Sequence, residues 1–322
     1  MKIIGIGSYL PTQRRSSEHL DAAYDLPSGT VFGMTGVRSR SFCGADENQV
    51  TMGVAAAQAA LADANCGAGD IDLVIGASAV PYQPIPATAP AYQAGLGIAD
   101  GAAFAFDVNA TCLSFLTALE VCAGLLARGS CRRALVIASE VASRALPWET
   151  HPEIAGLFGD GAAAVVIEQG EATFCSRFRT YPSGYDICEI GAGGTRFDFR
   201  TQTEAFAAHS LFHMDGKALF RLTSKTFVPF LDHLLHAAGW ERSQVDLVIP
   251  HQASPMALRH LIRQCGFGSD IVVDISAEVG NQIAASIPYA LAHARDRLKP
   301  GSRVLMLGTS AGVSLGGVAV TV

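Results

Sequence analysis

Two runs in this 322-residue chain occur twice, in the same order. Ile71-Asp-Leu-Val-Ile-Gly-Ala-Ser-Ala79 returns 174 residues later as Val245-Asp-Leu-Val-Ile-Pro-His-Gln-Ala253. Arg133-Ala-Leu-Val-Ile-Ala-Ser139 returns 170 residues later as Arg303-Val-Leu-Met-Leu-Gly-Thr309. The first pair follows helical segments with matched residues, Leu61 and Ala64 in one, Leu235 and Ala238 in the other. Asp-Leu-Val-Ile alone is a common opening for a buried strand. The second pair, at nearly the same offset, argues for two copies of one α/β unit. Apolar, β-branched runs alternate with Ala-rich helical stretches throughout, the pattern of a layered α/β fold. The boundary is expected near residue 170, after the turn Phe158-Gly-Asp-Gly161 and a strand over 162–168. That gives an N-terminal half, 1–170, and a C-terminal half, 171–322. Residues 171–215, rich in Gly, Phe, Ser and Thr, read as an inserted hairpin or loop region.

Composition removes several classes of function. Apolar residues make up 49% of the chain and charged residues 16%, enough to fill a large core. The net charge of −6 argues against a general nucleic-acid binder, which needs a basic face. Eight scattered cysteines contain no Cys-x-x-Cys pair, which reads as reduced thiols of a cytoplasmic protein, not a disulfide framework or a zinc site. No apolar run is long enough to span a membrane. The opening Met1-Lys-Ile-Ile-Gly-Ile-Gly reads as a first strand and not a signal peptide. Gly5-Ile-Gly7 lacks the third glycine of a dinucleotide fingerprint, and the loop Gly308–Gly317 lacks a P-loop lysine. No cofactor or metal is expected.

Three segments place reactive side chains where α/β folds usually put their sites, between a strand and the next helix. In Phe104-Ala-Phe-Asp-Val-Asn-Ala-Thr-Cys112 a strand ends and Cys112 opens a long apolar helix, whose N–H groups and dipole favour thiolate over thiol. A buried Cys is also often just a small hydrophobe. In Val248-Ile-Pro-His251 a strand delivers a histidine to its C-terminal end. In Glu278-Val-Gly-Asn281 a Gly-Asn turn precedes a helix, a position where Asn commonly serves only as a cap. The duplication changes their joint weight. It puts Cys112 and Asn281 at nearly equivalent helix starts, and twofold packing of the halves gathers all three. A thiol, an imidazole and an amide suit acyl-thioester chemistry: one nucleophile and two donors to a developing oxyanion.

At this point the chain resembles the thiolase superfamily, and within it β-ketoacyl-[acyl-carrier-protein] synthase III. The resemblance rests on Ile3-Ile-Gly-Ile-Gly-Ser-Tyr-Leu-Pro11, Thr35-Gly-Val-Arg38, the Cys112 segment, Phe158-Gly-Asp-Gly161, Met214-Asp-Gly216, His251-Gln-Ala253 and Gly280-Asn281 with Ala284-Ala-Ser-Ile-Pro288. It implies a duplicated fold in α-β-α-β-α layers and a homodimer. It also implies that Cys112 takes an acyl group from a thioester of coenzyme A or carrier-protein phosphopantetheine. His251 and Asn281 then hold the oxygen of a malonyl extender while it loses CO₂, and the carbanion attacks the acyl-Cys. The backbone N–H groups of Cys112 and Ala311 would form the oxyanion hole. Arg38 falls near the coenzyme A phosphates, Ile85 in Tyr82-Gln-Pro-Ile-Pro-Ala87 at the gate of the partner's acyl pocket, and Ser254 where the family has an asparagine. Arg221, Arg259 and Arg263 fall where the family places its patch for acyl carrier protein.

The departures bear on the donor. The family's adenine-stacking tryptophan falls on Thr30 and its partner arginine on Pro152, while Thr309 replaces a phenylalanine opening the last glycine-rich loop. Losing a stacking clamp weakens binding by ~0.5–2 kcal/mol per contact, so a carrier-protein donor or an unusual coenzyme A ester competes with acetyl-coenzyme A. The expected activity is decarboxylative condensation to a β-ketoacyl product, in fatty-acid initiation or a specialised pathway. Two other readings remain: an acyltransferase that moves the group to an alcohol or amine without releasing CO₂, and a non-catalytic binding subunit.

Overall fold

A computed structural model describes all 322 residues. Two sheets carry the molecule. The first holds β1 (Lys2–Tyr9), β2 (Leu73–Gly76), β3 (Phe104–Asp107), β4 (Arg133–Glu140) and β5 (Gly161–Glu168), in the order β1-β5-β4-β2-β3. The second holds β6 (Phe174–Thr180), β7 (Leu247–Pro250), β8 (Arg303–Ser310) and β9 (Ser314–Thr321), in the order β6-β9-β8-β7. Beyond β7, Val272 makes a single parallel bridge to Val248 and completes the same series. In both sheets the two innermost strands of the repeat pair in one register. Leu73 faces Ala134 and Ile75 faces Val136; Leu247 faces Val304 and Ile249 faces Met306.

Strands buried on both faces need apolar residues at every position, and that is how these read. Alternation then sorts each strand's side chains between two cores. From β4, Ala134, Val136 and Ala138 join the central core, while Leu135 and Ile137 join the outer one. From β8, Val304 and Met306 point inward, Leu305 and Leu307 outward. The central core is filled by two helices between the sheets, α2 (Ser114–Ala127) and α5 (Ser286–His293), through Phe115, Leu119, Ile287 and Leu291. The outer faces are covered by α1 (Gln49–Asp63) and α3 (Gly216–Ala238), with Leu61 and Leu235 buried in matching places. The result is the α-β-α-β-α sandwich that the resemblance implies. A further helix, α4 (Pro255–Cys265), follows β7. No helix is long and apolar enough to cross a membrane.

One expectation needs correction. Residues 171–215 are not wholly an insertion, because 174–180 form β6, the edge strand that pairs antiparallel with β9 along its length. Its alternation is masked by Arg177 and Arg179, which face solvent at the open edge. Only the stretch after it, with short elements over 182–189, 203–208 and 213–214, is irregular.

Candidate active site

Cys112 sits in a 3-10 turn, Thr111–Leu113, that leads into α2. Its Sγ lies within reach of two backbone N–H groups, its own and that of Ala311, which follows β8. His251 follows β7 and is 5% exposed. Its N–H donates to Leu307 O at 2.8 Å, so it sits beside the end of β8. A Cβ on Gly308 would fall 2.7 Å from the His251 Cβ and 3.5 Å from the Leu113 side chain. Glycine there lets the histidine approach the nucleophile's turn. Asn281 is buried, and its Nδ2 donates weakly, at 3.4 Å, to the carbonyl of Ala253, two residues past His251. The fold thus gathers Cys112, His251, Asn281 and the Ala311 N–H around the ends of β7 and β8.

Asn281 is held by the turn Phe158-Gly-Asp-Gly161. Its N–H donates to Leu157 O at 2.7 Å and its carbonyl accepts from Gly159 N–H at 3.1 Å. The two backbones approach so closely that a Cβ on Gly159 would lie 2.5 Å from Val279 O. Gly280, at φ 70, would bring a Cβ to 2.8 Å from Leu157 O. Side chains at either position would displace the amide.

The electrostatics correct one expectation. The helix start does not favour a thiolate at rest: burial pushes the Cys112 thiol up to about 12, helped by the nearby Glu140 and only partly offset by the two N–H groups. Desolvation of the sulfur outweighs the helix dipole. Burial also holds His251 down, at about 4, so the ring is neutral. Its Nδ1 is buried without a partner. A neutral imidazole beside a neutral thiol can take the thiol proton as the sulfur bonds to an acyl carbon, and can later return it.

The structure sharpens the duplication. Cys112 and Asn281 lie in matching turns that lead into matching helices, three residues out of step; the residue equivalent to Asn281 is Asn109. Thr111 N–H donates to Asn109 Oδ1 at 2.9 Å, and Ile283 N–H donates to Asn281 Oδ1 at 2.8 Å. Ala110 N–H donates to Ser114 Oγ at 2.9 Å, and Gln282 N–H to Ser286 Oγ at 2.9 Å. Thr111 and Ile283, both β-branched, both sit at φ 51, an unusual conformation that costs ~1–3 kcal/mol. The two turns are one motif, in which Cys112 matches Ala284 and the sequence offset is 172.

Glu140, at the end of β4, also escaped the sequence reading. It is 1% exposed, and its carboxyl accepts the N–H of Ala79 at 2.5 Å, with the N–H groups of Val80 and Ala284 nearby. Burial pushes it up to about 8. An acidic residue ending an all-apolar strand was the available signal.

The remaining expected residues lie further out. Arg38 pairs with Glu278 on the wall of a cleft of about 450 Å³ that Arg259 and Asp274 also line, so a phosphate would have to displace that carboxylate. Ser254 caps α4, its Oγ accepting Ala257 N–H at 3.1 Å, and so is committed to the helix. Ile85 is 86% exposed. Arg221 on α3 and Arg259 and Arg263 on α4 are exposed and form no ion pair. A cavity of about 80 Å³ runs between these helices to His251, past Phe220, Ala257, His260 and Thr309.

Paired sheets around two buried helices, with the cysteine at the start of one and the histidine and asparagine supplied by the other half, define a condensing enzyme of the thiolase fold. The chain belongs to the 3-oxoacyl-[acyl-carrier-protein] synthase III family. Family models for 3-oxoacyl-[acyl-carrier-protein] synthase III match residues 106–182, and for its C-terminal part residues 235–322. A β-ketoacyl-[acyl-carrier-protein] synthase III of Streptomyces coelicolor is 36% identical, over 99% of this chain and 96% of its own. That of Neisseria gonorrhoeae is 33% identical, over 98% of each. The crystal structure of the Pseudomonas aeruginosa synthase III superposes with a TM-score of 0.88 at 31% identity, over 99% of this chain and 97% of the other. Xanthomonas campestris OleA, at 23% identity and TM-score 0.85, shares the fold.

Proposed function

We propose that this chain catalyses decarboxylative condensation of a Cys112-bound acyl group with a malonyl thioester, giving a β-ketoacyl thioester and CO₂. The observation that carries this reading is that the turn of Cys112 meets the end of β8 at Gly308, where a buried, neutral His251 also lies. In the first step Cys112 Sγ attacks the thioester carbonyl and the proton passes to His251. The oxyanion rests on the N–H groups of Cys112 and Ala311, and the donor thiol leaves with the proton. In the second step the malonyl thioester oxygen is held by the His251 ring N–H and the Asn281 amide. Loss of CO₂ leaves an enolate, whose carbon attacks the acyl-Cys carbonyl and expels the Cys112 thiolate, which takes a proton from solvent to restore the thiol. Asn281 fits this role because its amide is only loosely engaged, at 3.4 Å from Ala253 O. Each such oxyanion donor is worth ~10²–10³ in rate elsewhere.

The cavity leading to His251 is the route for the phosphopantetheine arm. The extender arrives on acyl carrier protein, an acidic partner for the unpaired Arg221, Arg259 and Arg263 around that route. The active form is a homodimer in which Ile85 enters the partner's acyl pocket; its near-complete exposure supports this. Intact-protein mass after incubation with coenzyme A and carrier-protein thioesters, for the native chain and Cys112→Ala, tests the first step. An adduct lost in the variant is expected, and its mass names the donor. Release of CO₂ from malonyl-carrier protein tests the second, and acyl transfer without it would replace condensation with simple acyltransferase activity.

A further inference from the structure

Asn109 takes no part in the steps above, yet both ends of its carboxamide are committed. Its Oδ1 accepts Thr111 N–H at 2.9 Å and its Nδ2 donates to Ala79 O at 2.7 Å. The first bond closes the turn in which Thr111 sits at φ 51, immediately before Cys112. A β-branched residue keeps that conformation only where its surroundings fix it. The second bond fixes the turn to Ala79, which is itself anchored from the other side: its N–H donates to the buried Glu140 carboxyl at 2.5 Å. A connected series therefore runs from Glu140 through Ala79 and Asn109 to Thr111, ending one residue from the sulfur.

We propose that Asn109 is a positioning residue for Cys112, holding the nucleophile's turn against the carbonyl of Ala79 so that the thiol stays under the Ala311 N–H. The inference rests on Cys112 being the nucleophile of the reaction proposed above. Simple helix capping does not account for it: the 3-10 turn starts from Ala110 and α2 from Leu113, and neither start has a side-chain cap. The equivalent turn in the other half adds a comparison. Asn281 makes the same acceptor bond, but its donor bond to Ala253 O is stretched to 3.4 Å. The short tether belongs to the half that carries the sulfur. The same tether fixes the base of the 79–88 segment, which carries Ile85.

Asn109 is exposed, so shortening it removes nothing from the core. The experiment measures three quantities for Asn109→Ala: the single-turnover rate of Cys112 acylation by intact mass, CO₂ release from malonyl-carrier protein without an acyl donor, and the melting temperature. Displacing a reacting group by about 1 Å can cost ~10²-fold in rate. Acylation is expected to slow by about 10- to 100-fold, with CO₂ release within about twofold of the native value. Asn109→Ser, which can close the same kind of turn, should recover part of the loss. Asn109→Asp keeps the bond to Thr111 and loses the one to Ala79, so slowed acylation there assigns the effect to the tether. Native acylation in Asn109→Ala, or an equal fall in acylation and CO₂ release, would overturn the proposal. An adduct persisting in Cys112→Ala would instead overturn the reaction on which it rests.

Discussion

The two halves contain the same strained turn and have put it to opposite uses. In the N-terminal half, the asparagine of the turn is tied down and the third residue on is Cys112. In the C-terminal half, the asparagine's amide is loosely held and the third residue on is Ala284. The neighbouring positions diverge in step. His251, bonded through its N–H to Leu307 O, corresponds to Ala77, bonded in the same way to Ile137 O. Gly308 corresponds to Ala138, and Ser310 to Glu140. In the C-terminal half the Ala284 N–H is taken up by the Glu140 carboxyl. The equivalent N–H of Cys112 is met by no such side chain and is directed at its own sulfur. One copy of the fold therefore leaves a backbone donor open for an oxyanion, and the other has filled that position with a carboxyl. In the proposed reaction one site is built from two unequal contributions: the nucleophile and its own N–H from the first half, the imidazole, the amide and the Ala311 N–H from the second.

The largest expected effect comes from moving the nucleophile to its equivalent position. Cys112→Ala alone should abolish the acyl adduct and lower condensation by at least ~10³-fold, as loss of a nucleophile does in other covalent enzymes. Adding Ala284→Cys should restore nothing. That sulfur would have Ala77 in place of a histidine and Glu140 on its N–H. Intact-mass adducts and turnover of the double variant check this. Recovery of either would mean that the halves are more alike than the hydrogen bonds indicate.

A smaller effect separates the two ends of β8 and β4. Gly308→Ala puts a Cβ within 2.7 Å of the His251 Cβ. Overpacking of that kind costs ~1–3 kcal/mol, and the displaced imidazole should slow acylation by about tenfold or more. The reverse change in the other half, Ala138→Gly, relieves no clash and should cost ~0.5–1 kcal/mol through chain entropy and about 1 kcal/mol more for the methyl it removes from the central core, with turnover near native. Thermal melts and acylation rates of the pair test this. Similar losses of activity in both variants would show that the close approach at Gly308 is not what places the histidine.

Much of this was legible in the sequence because strands buried on both faces must be apolar throughout, so the repeats of β2 with β7 and β4 with β8 stand out. Cys112, His251 and Asn281 were legible by their chemistry and their places after strands. What could not be read was set by the backbone. By sequence Cys112 stands nearly equivalent to Asn281, and the three-residue offset stays hidden because Asn109 looks like any turn asparagine until Thr111 is seen at φ 51. The same blindness hid β6, an edge strand whose outward Arg177 and Arg179 read as loop residues. It also led to a thiolate at the helix start, since helix position is written in the sequence and desolvation is not. Ser254 and Arg38 looked available because their commitments, to the Ala257 N–H and to Glu278, lie in the folded chain.

The smallest effect is also the one most specific to the unequal halves, and it concerns Glu140. Its carboxyl is pushed up to about 8 in the folded chain, against ~4.3 for an exposed glutamate. Between those two values the folded state holds a proton that the unfolded state has lost. Its contribution to stability is therefore fully present below about pH 4, and it is lost as pH rises through about 8. Glu140→Gln imitates the neutral acid and cannot titrate. The variant should melt within a few degrees of the native chain near pH 5 and should lose the part of the decline between pH 5 and 8 that the native chain owes to this group. It should also lower the thiol of Cys112, since the negative charge that opposes its ionisation can no longer form. Below about pH 8 Glu140 is neutral and Cys112 should be alkylated by iodoacetamide alike in both chains; above it the variant should react faster. A variant that melts with the native pH slope, or that already alkylates faster than the native chain near pH 5, would mean that Glu140 is ionised throughout. The C-terminal half's filled position would then hold a full negative charge, and the asymmetry between the halves would be electrostatic as well as steric.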